Sequence, residues 1–335
     1  MKKVSLEDIS KELGVSKTLV SFVMNGRAKE KRISEEMTEK VLAKAKEMGY
    51  KANYLARALR TGKSNTLGLI MADISNAFFA KLARSIENEA NEFGYNVIFG
   101  SSDEDSVKSG KLIEVFKNKK VDGLIICPAM DDIKYIKRLQ KEKYPYVLVD
   151  RYFADVKSNV VVVNNQIGSY KIVNDQIKQG KKKIAMVNFN VGLINMDDRF
   201  IGYKEALEAN GLQLDQSLVK NVSFKDMEKE TELAIEELLE QQETIDTIYF
   251  SNNQLAFLGL KYIIKNNKSV LDKISICSFD SFAVMDLMEI PMVYGTQPIQ
   301  ELGKYAVDLI MKQIESDTIE PQEVVLPISY SKEMM

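Results

Sequence analysis

Ser16, Lys17, Thr18 and Ser21 bring three hydroxyls and an ammonium together within six residues, beside the ring of Phe22 and the amide of Asn25. Groups of this kind donate to phosphate oxygens and to base edges, so their chemistry is recognition of nucleic acid. A second basic run, LARALRTGKS (55–64), follows about thirty residues later and contributes Arg57, Leu59 and Arg60. Catalytic chemistry is poorly supplied by comparison. The chain has no histidine, which removes imidazole general bases, histidine-dependent triads and most zinc sites. Cys127 and Cys277 stand alone inside apolar runs, as buried free thiols would. Gly62-Lys63-Ser64 ends like a phosphate-binding loop, but Arg57 stands where the first glycine is required, so it is not a nucleotide site.

Helix signals explain how the first group is presented. Ser5 and Asp8 form a reciprocal capping pair and Gly14 suits a left-handed stop, which predicts a helix from about Leu6 to Leu13. Ser16 caps a second helix that ends at Asn25-Gly26. Ile9, Leu13, Val15, Val20 and Val23 form the seam between them, and Ser16, Lys17, Thr18, Ser21 and Phe22 are left facing outward. A third amphipathic helix from Ser34 to Met48 closes a helix-turn-helix domain. Charge supports this reading. Residues 1–64 hold 15 Lys and Arg against 8 Asp and Glu, a net of +7, whereas the remainder holds 31 against 40, a net of −9. A near-neutral chain therefore carries a basic head on an acidic body, as phosphate contact requires.

Beyond Ser64 short apolar runs alternate with amphipathic helices. Candidate buried strands fall at 66–74, 96–101, 121–128 and 146–150, then at 160–164, 183–189, 219–224, 246–251 and 274–280, with late strand character at 292–296 and 323–328. Two doubly wound α/β lobes follow from that count. Gly68 stands alone after the first strand begins, without the glycine-rich turn of a dinucleotide fold. The basic N-terminus meets acidic residues before any apolar stretch develops, which argues against a signal peptide, and no run is long enough to span a membrane.

From the first helix through to Pro327, nearly its whole length, the chain resembles the lactose-repressor (LacI/GalR) family of bacterial transcription regulators. The resemblance rests on GVSKTLVSFVMNG (14–26), RISEEMTEKVLAKAKEMGY (32–50), LARALRTGKS, DISNAFFAKLARSIENEA (73–90), VDGLIICPA (121–129), DRFIGYKEAL (198–207), FSNNQLAFLGL (250–260), and the pair SFD (278–280) and TQP (296–298). It implies an α/β chain with an N-terminal three-helix domain (1–50), a hinge helix and linker (51–64), and a two-lobed core like that of periplasmic binding proteins (65–335). The N-lobe is expected at about 65–158 and 293–320, and the C-lobe at about 159–292 and 321–335. The hinge helix is expected to fold on binding, with Leu59 wedged into the minor groove between Arg57 and Arg60.

The same resemblance implies an effector between the lobes, held by Asp73, Asn76, Phe79, Asp150, Arg151, Arg199, Phe224, Asn252, Asp280 and Gln297. With no tryptophan, Phe224, Phe79 or Phe282 must cover the apolar face of a sugar. Three positions depart from the family pattern. Phe22 replaces a frequent arginine and offers only apolar contact, such as with a thymine methyl; Ala52 replaces a frequent proline; and Asn253 replaces a frequent aspartate. Lys17 and Thr18 then become the expected base readers, and Ser16 and Ser21 the phosphate contacts. The expected protein is a cytoplasmic homodimeric regulator, a repressor of a palindromic double-stranded DNA operator, controlled by a neutral sugar. No catalytic residue, cofactor, metal or membrane contact is expected. The competing classes are a sugar receptor of a transport system, which the basic head opposes, and an α/β enzyme built around Cys127 or a carboxylate pair.

Overall fold

A computed structural model describes residues 4–50, 63–189, 192–240, 245–282, 285, 290–316 and 320–332. The chain divides into two units, residues 1–64 and 65–335.

In the first unit, α1 (Leu6–Leu13) begins at Ser5, whose side chain and that of Asp8 cap each other's backbone N–H groups. Gly14, at φ 65°, ends it. Helix α2 (Lys17–Met24) starts at Ser16, and α3 (Glu35–Glu47) starts at Ser34. Ile9, Val20, Val23, Ala28, Val41 and Ala45 form the shared core, with Leu13 and Val15 packed at its margin.

The second unit holds twelve described strands in two six-stranded sheets. The first sheet contains β1 (Thr66–Met71), β2 (Asn96–Ser101), β3 (Gly123–Ile126), β4 (Tyr146–Val149), β5 (Asn159–Val163) and β11 (Glu323–Leu326). Their order is β11-β5-β4-β3-β1-β2, parallel throughout. The second contains β6 (Ile184–Phe189), β7 (Val219–Val222), β8 (Thr247–Phe250), β9 (Ser275–Ser278), β10 (Met292–Thr296) and β12 (Ser329–Lys332). Its order is β12-β10-β9-β8-β6-β7, with only β12 antiparallel. Helices α4 (Ala77–Glu92), α5 (Ser106–Asn118), α6 (Ile133–Lys141) and α11 (Ile299–Glu315) accompany the first sheet. Helices α7 (Asn165–Lys178), α8 (Ile194–Ala209), α9 (Met227–Leu239) and α10 (Asn253–Asn267) accompany the second. The central strands β1, β3, β4, β5, β6, β8 and β9 are buried on both faces, as parallel strands under two helical layers must be, whereas the edge strands β2, β7 and β11 are partly exposed.

Three strands lie in the opposite lobe from the one expected. The run at 160–164 was assigned to the C-lobe, yet β5 sits between β4 and β11 in the first sheet. Residues 293–296 were assigned to the N-lobe, but β10 pairs with β9 in the second sheet. The run at 323–328 was assigned whole to the C-lobe. Its strand, β11, instead joins the first sheet, and the chain enters the second only past Pro327, with β12 from Ser329. The physical reason is that pairing is non-local: NVVVV at 159–163 satisfies either sheet equally well, and only its partners across the ladder decide. The chain therefore crosses between lobes just after β5, just after β10 and between β11 and β12.

Candidate nucleic-acid interface and ligand cleft

Ser16, Lys17 and Thr18 are exposed at the start of α2. Ser16 Oγ accepts the Leu19 N–H at 3.1 Å as the helix cap, which leaves its hydroxyl hydrogen for an outside acceptor. Lys17 lies 3.7 Å from Glu7, and its side chain remains 63% exposed. Such an ion pair is weak enough to yield to phosphate. Ser21 and Asn25 are engaged with each other: Asn25 Nδ2 donates to Ser21 O at 2.5 Å and to Ser21 Oγ at 3.3 Å. Asn25 thereby closes the end of α2. Phe22 is half-buried, with the Arg27 guanidinium 5.8 Å and the Lys31 ammonium 5.5 Å from its ring centre. Two cations, both paired with Glu30, therefore flank the Phe22 ring. Arg57, Leu59, Arg60 and Ala52 lie outside the described residues.

In the second unit the sheet topology gathers polar side chains at the carboxyl ends of the strands, where a doubly wound sheet presents its ligand groups. Asp73 and Asn76 follow β1, Asp150 and Arg151 follow β4, Asn252 follows β8, Asp280 follows β9, and Gln297 follows β10. Asn76, Phe79, Asp150, Arg151, Arg199, Phe224, Asn252 and Asp280 line one cavity. Asp73 joins them through Gln254, whose Nε2 donates to it at 3.2 Å, and Gln297 Nε2 donates to Asp280 at 2.7 Å. The sequence had left Phe282 as a third aromatic cover. It is half-buried against the C-lobe core instead, edge-on to Phe257 at 5.9 Å.

Each arginine is held rigidly. Arg199 is 2% exposed; its Nε donates to Asn165 at 2.9 Å and its Nη1 to Ser251 O at 2.7 Å, with Asp280 3.8 Å away. The guanidinium lies 3.6 Å from the centre of the Phe279 ring. Arg151 makes a two-pronged pair with Glu104 at 2.7 and 2.8 Å and lies 5.7 Å from the Phe79 ring. Burial pushes the carboxyls of Asp150 and Asp280 above the ordinary aspartate value, against the opposing pull of the arginines. Phe224 stacks on Phe189 at 4.0 Å and so offers a fixed apolar wall. Asn76 and Asn252 also cap α4 and α10, accepting from Phe78 and Leu255 at 3.0 Å each.

Glu104, Asn195, Asn253, Gln254, Phe78 and Met196 complete the lining and were not singled out as site residues from sequence. Asn253 carried a signal, its departure from a frequent aspartate. Glu104 carried none, because it arrives through two successive left-handed residues, Asp103 at φ 53° and Glu104 at φ 57°. Across the cleft, Asn253 Nδ2 donates to Asn76 Oδ1 at 2.9 Å and Asn195 Nδ2 lies 3.4 Å from Asp150 Oδ2. The cavity among these residues is about 20 Å³, room for about one water, and a neighbouring cavity of about 250 Å³ opens beside it between Pro128, Arg151, Leu193 and Asp197. Among the described residues no cluster of three or more His, Cys, Asp or Glu could hold a metal, and no helix is long and apolar enough to cross a membrane.

A helix-turn-helix head carried with a two-lobed body that converges polar groups on an interlobe cleft defines the class: a ligand-binding DNA-binding protein. Residues 64–334 match the family of periplasmic binding proteins and the sugar-binding domain of the LacI family, and residues 5–53 match the bacterial regulatory proteins of the lacI family. The chain belongs to the LacI family and is a DNA-binding transcriptional regulator. It is 31% identical to the ribose operon repressor of Halalkalibacterium halodurans, over 96% of this chain and 94% of that one. Among solved structures, a LacI-family regulator from Enterococcus faecium with bound ribose is 25% identical with a TM-score of 0.70, covering 80% of this chain and 97% of that one. The lac repressor dimer bound to operator and the anti-inducer ONPF matches with a TM-score of 0.85 over 99% of this chain and 98% of that one; at 20% identity this is a likeness of fold.

Proposed function

We propose that the chain is a cytoplasmic, homodimeric repressor without catalytic activity, whose affinity for a palindromic operator is set by a neutral monosaccharide of the ribose class. The observation that carries the effector reading is the convergence of Arg151 and Asp150 from one lobe with Arg199 and Asp280 from the other, between Phe79 and Phe224. Planar donor forks and carboxylates match vicinal hydroxyls, and aromatic rings match the apolar face of a sugar ring. The name of the ribose operon repressor and the ribose in the Enterococcus faecium structure support the pentose choice. Asp73, Asn76, Asn252 and Gln297 complete the shell. The cavity among these residues is about 20 Å³, too small for a sugar, so binding there requires the lobes to part.

At the head, Lys17 and Thr18 read bases, Ser16 and Ser21 contact phosphate, and Phe22 meets a thymine methyl. Thermal melting across pentoses, hexoses, disaccharides, uronic acids, sugar phosphates and purines tests the effector class. Ligand at about 100 times its dissociation constant adds about 2.7 kcal/mol, an easily read shift. Stabilisation by purines alone would overturn the sugar reading.

A further inference from the structure

Arg151 is the cleft's obvious anion receptor, yet its charge is already answered. Of its five N–H groups, one on Nη1 and one on Nη2 go to Glu104 at 2.7 and 2.8 Å, and Nη1 also reaches Pro128 O at 3.4 Å. Nε has no hydrogen-bond partner and lies 3.4 Å from Asp150 Oδ2. Both members of the ion pair are buried, with side-chain exposures of 5% for Arg151 and 15% for Glu104. The other guanidinium, on Arg199, is committed to Asn165, Ser251 and Asp280. Glu104, Asp150 and Asp280 thus face two arginines, and no lysine is among the described residues that line the cavity. Glu104 is also placed deliberately by the backbone, since two left-handed residues turn the loop and the Glu104 N–H donates to Ala72 O at 3.0 Å.

We infer that Glu104 is the residue that restricts the effector to uncharged sugars, by neutralising Arg151 through both Nη groups while Nε stays turned to Asp150. This rests on the sugar reading above. A phosphate or carboxylate on the ligand would enter a buried site with no uncompensated cation to receive it, beside three carboxylates. Removing the Glu104 charge while keeping its shape releases the Nη groups of Arg151 from their two-pronged pair and leaves only Asp150, on the Nε side, opposite it, so the Nη edge can take an anion.

The test is calorimetric binding of D-ribose against D-ribose 5-phosphate, and D-glucose against D-glucuronate, to the full chain and its variants. Wild type is expected to take a neutral member and to prefer it strongly over its acidic counterpart. In Glu104→Gln the preference should fall at least tenfold. Glu104→Asp, which withdraws the carboxylate by one methylene, should fall between, and it serves as the readout if the glutamine variant does not fold. The double change Glu104→Gln with Arg151→Gln should lose the gained anion binding, since it removes the freed charge. An unchanged preference in a folded Glu104 variant, or anion acceptance by wild type, overturns this inference and leaves the sugar reading standing. No binding of any sugar by wild type, with operator binding intact, overturns both.

Discussion

Arg199 is the side chain on which the second lobe's half of the cleft depends. It is fully enclosed, stacked on Phe279, and tied to α7 through Asn165 and to the end of β8 through Ser251 O. Arg199→Ala strips a buried cation from Asp280, and breaking a buried pair in this way costs about 3–5 kcal/mol. Its core should melt lower, and its operator binding should no longer respond to effector. Arg199→Lys keeps the charge but not the fork, so it should retain more stability and still lose the response. A lysine variant with wild-type response would remove the fork from the argument. Asp280 allows a separate test through pH. Burial raises its carboxyl and that of Asp150, so the folded chain holds these protons more tightly than the unfolded chain. Their contribution favours the fold at pH below the ordinary carboxylate value and is lost as pH rises through the raised values. Asp280→Asn cannot ionise and should flatten that fall in the melting temperature of the ligand-free protein. Identical slopes in both proteins between about pH 4 and 7 would show that the buried charge is inconsequential. Cys127 and Cys277 report on the same burial: both thiols are buried and raised in pKa. Neither should react with a thiol reagent at about pH 8 until the chain is unfolded, because only the thiolate is nucleophilic.

Helices α7 and α8 pack so closely that their backbones nearly touch. A Cβ on Gly202 would stand 2.1 Å from Gln166 O and 2.9 Å from Tyr170 N, both backbone atoms that cannot swing aside. Gly202→Ala must therefore push α8 away from α7, an overpacking cost of about 1–3 kcal/mol. Since α8 carries Asn195 and Arg199, sugar affinity should fall together with stability. A variant with unchanged melting and affinity would mean that the two helices have slack. What was legible at this level follows from the range of the forces involved. Ser5 with Asp8, Gly14 and Ser16 act within one helical turn, so caps and boundaries could be read from the sequence directly. Apolar runs likewise located the strands, because burial on both faces leaves a continuous signal. The lobe memberships of β5, β10 and β11 were not legible, since each depends on a partner strand elsewhere in the chain. In the cleft, Asp73, Asp150, Asn252 and Asp280 follow from the family resemblance, and each stands at a strand end, where a doubly wound sheet presents polar groups. Glu104, held in a loop by left-handed geometry, and Phe282, taken up by Phe257, depended on tertiary packing.

At the scale of the whole binding unit, the lobes are linked by three crossings and touch directly across the cleft. Asn253 and Asn76 exchange amide contacts at 2.9 and 3.4 Å, and Gln254 donates to Asp73 at 3.2 Å. These bonds join the two lobes across the cleft, and each contributes about 0.5–1.5 kcal/mol net. Asn253→Ala combined with Gln254→Ala removes all three bonds and should take about 1.5–4.5 kcal/mol from closure, which corresponds to a shift of about 10- to 2,000-fold toward open forms. The radius of gyration of the ligand-free protein in solution should then increase. Sugar binding should change more in rate than in strength. The same bonds oppose the opening that admits ligand and support the closed complex afterwards, so association and dissociation should accelerate together while the dissociation constant moves little. Stopped-flow binding separates the alternatives. Faster rates in both directions identify these amides as the latch between lobes, whereas a weakened affinity with unchanged association would mean that they act only after the sugar is in place.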